Sequence, residues 1–125
     1  MRVSCVQLDM KLGDVKANFA HAEAMIREAV NRDHPDTVVL PETWNTGFFP
    51  QELAPCADDD GKATKALCSA LAKELHINIV AGSVANRRAD GYYNTAYVFD
   101  RSGNLVAEYD KTHLFTPSGE HNFFR

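Results

Sequence analysis

Basic clusters, long apolar runs and paired cysteines are what this 125-residue sequence has little of, and each shortage removes a class of protein. The net charge is −4, and no stretch concentrates lysine and arginine, which argues against a nucleic-acid or anionic-membrane partner. No apolar run approaches the ~20 residues of a membrane span. The opening residues Met1 to Leu8 have neither the apolar core nor the small-residue cleavage site of a secretory signal, so a cytoplasmic protein is expected. Three cysteines, Cys5, Cys56 and Cys68, are an odd number at wide spacings, which fits neither a disulfide framework nor paired zinc ligands. They read as reduced thiols. Hydrophobic residues at 45% and charged residues at 24% exclude disorder and fibres, leaving one globular domain over residues 1–125.

What is present centres on residues 37–48. Val38, Val39 and Leu40 read as a short buried strand whose ladder Pro41 ends, which puts Glu42 at the strand's carboxyl end, where open α/β sheets place ligands and catalytic groups. Trp44 and Phe48 follow within one loop and are expected to wall a pocket beside that acid.

Taken in order, Val3 to Leu8 is β-prone and reads as a first strand, central in its sheet. The spacing of Phe19, Ala22, Ile26, Ala29 and Val30 predicts a helix from an Asp14 N-cap to about Arg32, with His21 and Glu28 on its outer face. Pro35 stops it before the second strand. After a loop over 47–57, Asp58 to Asp60 precede a helix over about 62–76, whose N-terminal dipole those carboxylates favour. Its buried face is Leu67, Cys68, Leu71, Ala72 and Leu75. Ile77 to Val84 reads as a buried third strand, completing a β-α-β-α-β order and a largely parallel sheet, hence an α/β fold. Arg87 and Arg88 read as a solvated turn. Thr95 to Asp100 and Leu105 to Tyr109 form a hairpin around Arg101 to Asn104, and Thr116 to Arg125 reads as loop.

Charges of opposite sign, Glu42 and Lys111, thus sit at two strand ends, and Glu120 lies in the loop after Lys111. Such a set suits acyl transfer: a carboxylate takes a nucleophile's proton, and a fixed ammonium stabilises the oxyanion. From spacing alone the same residues read equally well as solvated strand ends. Gly61-Lys62-Ala63-Thr64 fails as a P-loop, Asp58 to Gly61 fails as a calcium loop, and His113 and His121 with Glu120 read as structural rather than metal-binding.

Four segments in register decide further. Leu40 to Phe48, Val80 to Val84, Tyr93-Asn94-Thr95 and Tyr109 to Phe115 together resemble the nitrilase superfamily of carbon-nitrogen hydrolases, most closely its omega-amidase-like branch. The resemblance implies the amino-terminal half of a nitrilase-type α-β-β-α sandwich. It implies Glu42 as general base, Lys111 as oxyanion-stabilising lysine, Glu120 as the supporting second glutamate, and Trp44, Phe48 and His113 as substrate-binding residues. It implies a small-molecule amide substrate, no metal and no organic cofactor. In such enzymes the nucleophilic cysteine sits in a Cys-Tyr-Asp or Cys-Trp-Asp elbow, and none of Cys5, Cys56 or Cys68 has that motif around it. The chain therefore reads as an inactive half, with one sheet face uncovered and in need of a second copy or a complementary carboxyl-terminal segment. The rival reading is a non-catalytic α/β fragment whose open face is an interaction surface.

Overall fold

The computed structural model describes residues 1–48, 50 and 52–125, so residues 49 and 51 of the expected loop over 47–57 lie outside the described residues. Its elements run β1 (Val3–Cys5), α1 (Val15–Asp33), β2 (Thr37–Val39), β3 (Asp58–Asp59), α2 (Lys62–Leu75), β4 (Asn78–Arg88), β5 (Gly91–Phe99) and β6 (Leu105–Asp110). Two 3-10 turns, Thr116–Ser118 and Glu120–Asn122, occupy the segment read as plain loop.

Both helices start and stop close to their expected bounds, for chemical reasons. Asp14 Oδ1 accepts the Ala17 N–H at 3.0 Å, and His34 closes α1 in the left-handed region with its N–H on the Val30 carbonyl. Asp58 caps α2, accepting the Ala63 N–H at 3.0 Å, the Thr64 N–H at 2.8 Å and the Thr64 hydroxyl at 2.7 Å. Two orphan backbone donors and one hydroxyl at the helix start are thereby satisfied by one carboxylate.

The sheet order is β1-β2-β4-β5-β6, with β3 alongside the far end of β4. Pairings are parallel from β1 through β4 and antiparallel from β4 through β6, so the sheet is mixed rather than largely parallel. Two further corrections follow. β1 is an edge strand, because β2 is its one partner among the described residues. Arg87 and Arg88 are not a turn: they end β4, which reverses through Ala89 and Asp90 into β5. Arg88 pairs with Asp110 and, at 2.7 Å, with Glu108, so strand pairing supplies the partners that a turn would have sought in water.

Ala22 and Ile26 of α1 and Cys68 and Leu71 of α2 pack with Val38, Ile79, Tyr97 and Phe99 in one core on one face of the sheet. The register lines Cys5, Val39, Val80, Val98 and Ala107 across the opposite face. That row is exposed at both ends, half-buried between, and has no covering layer among the described residues.

Candidate active site

Glu42 is held by a turn that is clamped to the neighbouring strand. The Leu40 N–H donates to the Val80 carbonyl and the Ser83 N–H to the Pro41 carbonyl, carrying the chain across a bulge in β4. The bulge contains Gly82 at φ +56, where a Cβ would overlap the Leu40 and Pro41 carbonyls; glycine is what lets the two backbones meet. Thr43, at φ +44, then donates its N–H to Ser83 Oγ at 3.1 Å. Asn45 completes the clamp through both ends of its amide, Nδ2 to the Ala85 carbonyl at 3.1 Å and Oδ1 from the Ala85 N–H at 2.9 Å.

Three of the expected residues converge. Lys111, just beyond β6, places Nζ 2.8 Å from Glu42 Oε1 and 2.9 Å from Glu120 Oε2. Glu120 opens the last 3-10 turn and is 3% exposed; its Oε2 also accepts the Phe115 N–H at 2.5 Å. Burial alone would raise the Glu120 pKa, but the Phe115 N–H, the Asn94 amide and Lys111 outweigh it and hold the carboxyl below its usual range. Burial likewise works against the Lys111 charge, yet hydrogen bonds and attraction from Glu42 and Glu120 keep its pKa above the ordinary lysine value. At neutral pH the lysine is an ammonium hydrogen-bonded to both glutamates.

The cavity beside this triad measures about 620 Å³. Phe48 and His113 line it together with Leu114, Phe115 and Phe124. Trp44 does not. Its side chain is fully buried, packs against Phe19 in a tilted pair with 4.7 Å between ring centroids, and donates Nε1–H to the Ala81 carbonyl at 2.8 Å. The positive φ of Thr43 reverses the chain and sends the next side chain under the sheet, so the tryptophan supports the turn instead of walling the cavity.

Asn94, expected to lie just before the strand over 95–100 and given no role, is part of β5. Its Nδ2 donates to Glu42 Oε1 at 2.8 Å and to Glu120 Oε1 at 3.0 Å, and its carbonyl accepts the Lys111 N–H at 2.9 Å. Its place in Tyr93-Asn94-Thr95 was the available signal. The contribution of Phe124 to the apolar floor was hidden by reading Thr116 to Arg125 as loop.

None of the cysteines lines the cavity. Cys5 is exposed on β1, Cys56 points its thiol at the Gly13 carbonyl at 3.5 Å, and Cys68 is buried, its thiol pushed up to about 12 by desolvation. No group of three or more metal-ligating side chains occurs among the described residues, and no helix is long and apolar enough to cross a membrane.

With this geometry in view, comparison with known proteins is specific. The model of the carbon-nitrogen hydrolase family matches residues 2–124. A 2-oxoglutaramate amidase of Bacillus subtilis is 40% identical over 119 residues, covering 95% of this chain and 45% of that protein. The omega-amidase NIT2 of Homo sapiens is 34% identical, covering 91% of this chain and 41% of that protein. The crystal structure of Saccharomyces cerevisiae Nit3, of branch 10 of the nitrilase superfamily, superposes with a TM-score of 0.88 at 26% identity, over all of this chain and 48% of that one. The chain thus spans about half the length of the curated relatives it matches, and it belongs to the carbon-nitrogen hydrolase family of the nitrilase superfamily.

Proposed function

We propose that this chain supplies the glutamate, lysine and second glutamate of an amidase that hydrolyses a small linear amide to its acid and ammonia, and that the nucleophilic thiol comes from a complementary segment. The observation that carries the reading is Lys111 Nζ bridging Glu42 Oε1 and Glu120 Oε2 at the edge of a cavity with an apolar floor.

In this scheme Glu42 takes the thiol proton, and the thiolate adds to the amide carbon. Lys111 faces the oxyanion that develops; losing one such donor typically costs about 3 kcal/mol of transition-state stabilisation. The C–N bond then breaks, the nitrogen leaves as ammonia with the proton held on Glu42, and a thioester remains. Water, deprotonated by Glu42, attacks the thioester and frees the acid and the thiol. Glu120 keeps Lys111 charged and in place. The names of the Bacillus subtilis and human relatives support an omega-amide such as 2-oxoglutaramate as the substrate class, and Phe48, Leu114, Phe115 and Phe124 suit its methylene chain.

The uncovered row Cys5-Val39-Val80-Val98-Ala107 supports the same reading. An apolar sheet face needs a cover, and a complementary segment or a second copy docking there completes the sandwich. The test is ammonia release from a panel of small amides by the complete gene product. Glu42→Gln and Lys111→Ala each abolish release while leaving the melt cooperative; wild-type rates in either variant refute the assigned roles.

A further inference from the structure

We infer that Asn94 is a positioning residue of this site: its amide ties Glu42 to Glu120 and thereby selects the oxygen of Glu42 that receives the nucleophile's proton. The inference rests on the amidase reading for the identity of that proton, and on geometry for the rest. Asn94 is 2% exposed, and both of its recorded side-chain hydrogen bonds go to carboxylates, Glu42 Oε1 at 2.8 Å and Glu120 Oε1 at 3.0 Å. Ionised carboxylates only accept, so the amide must turn its NH2 toward both. Its Oδ1 is left buried with no hydrogen-bond partner among the described residues. A buried carbonyl without a partner is destabilising, and a leucine of similar shape would avoid it. The arrangement is explained if aiming both donors at the carboxylates is what the residue is for.

The charge count gives the same answer. Two carboxylates share one ammonium here, and without another donor they repel across a half-open cavity. A second cation would hold them too, but would stabilise the Glu42 carboxylate and weaken it as a base. A neutral amide holds them with less loss of basicity. Because Lys111 and Asn94 both engage Oε1 of Glu42, and no described residue donates to Oε2, Oε2 is the oxygen left for the proton. The groups facing the amide are Glu42 after β2, Lys111 after β6 and Glu120 in the last 3-10 turn. The neighbouring charges Asp110 and Arg88 engage Thr95 and each other.

The experiment uses the complete gene product with Asn94→Leu, which keeps shape and removes the donors, and Asn94→Asp, which removes them and places a third carboxylate beside Glu42 and Glu120. Amide hydrolysis is followed against pH, and the side-chain carboxyls are titrated by 13C NMR. In Asn94→Leu, which loses the hydrogen bonds to both glutamates, kcat/KM falls about 10- to 100-fold, the size expected for the bond to Glu42 alone, and most of the loss is in kcat. The Glu120 titration moves up toward the ordinary glutamate range in the folded protein of both variants. An unchanged Glu120 titration overturns the inference, as does a loss of activity that only tracks the loss of folded protein. If the wild type releases ammonia from no amide, the amidase reading fails by itself, and the titration alone decides whether Asn94 holds the two acids.

Discussion

Replacing Gly82 by alanine measures how closely the sheet grips the base. At φ +56 an alanine pays about 1–2 kcal/mol for the left-handed conformation. Its Cβ would also overlap the carbonyls of Leu40 and Pro41, which are main-chain atoms held by hydrogen bonds to Val80 and Ser83. Relieving an overlap against rigid neighbours costs roughly 1–3 kcal/mol. The two together give about 2–5 kcal/mol, which for a chain of this size lowers Tm by ~10–20 °C. Gly13→Ala is the internal control. Its φ is +72, but the nearest side-chain atoms to a Cβ there are Cys56 Sγ at 3.8 Å and Pro50 Cβ at 4.0 Å, so only the conformational part is incurred. Thermal melts of both variants should therefore differ by at least ~4 °C, with Gly82→Ala the lower. On the proposed amidase reading, ammonia release by the complete gene product carrying Gly82→Ala should fall as well, because the overlap pushes directly on the residue before Glu42. Equal melts for the two variants would refute the close approach as the reason for the glycine.

Further outcomes follow from the charges and caps. The Glu120 carboxyl is held low in the folded state, so its contribution to stability is complete above the unfolded glutamate pKa and is lost as pH falls through the folded value; Glu120→Gln should flatten the acid limb of a stability-pH curve. Lys111 is held high, so its contribution is present below the unfolded lysine value of 10.5 and is lost as pH rises through the folded one, and Lys111→Met should remove that alkaline limb in the same titrations. Asp58→Ala should cost about 1–2 kcal/mol in chemical denaturation by uncapping α2, with Asp58→Asn retaining part of it. Alkylation at pH 8, read by mass spectrometry, should label Cys5 in the native chain well before Cys68, whose thiol is buried and protonated.

Local signals were legible where one residue type does one job. Asp14 and Asp58 announce helix starts, and the 3.6-residue spacing of Ala22, Ile26 and Ala29 names a face that the fold does bury. The strand-end position of Glu42 was also readable, since Pro41 marks where the ladder must change. Partners distant in sequence were less so. β1 was expected in the centre because its residues are apolar, but apolarity reports burial on a face and says little about which strands lie beside it. Arg87 and Arg88 looked like a turn because their acidic partners, Asp59 on β3 and Glu108 and Asp110 on β6, lie on other strands, and only pairing brings them close. Trp44 was misplaced by the positive φ of Thr43, a conformation that a β-branched residue seldom adopts and that no propensity would assign to it. Asn94 was silent because the two acids it joins are 52 and 26 residues away.

The clamp on residues 41–46 separates two kinds of change that evolution or engineering can make. The acid's position is dictated by β4, through Gly82, Ser83 and Ala85, and by a buried indole beneath; Phe48, three residues past the Asn45 grip and 52% exposed, belongs to the cavity wall. Substitutions at Phe48 can therefore reshape what the cavity admits while Glu42 stays where it is. On the proposed amidase reading, the acid and the cavity wall come from adjoining but separately held stretches of one loop, an arrangement that would let the wall be exchanged for a new amide with the acid kept in place.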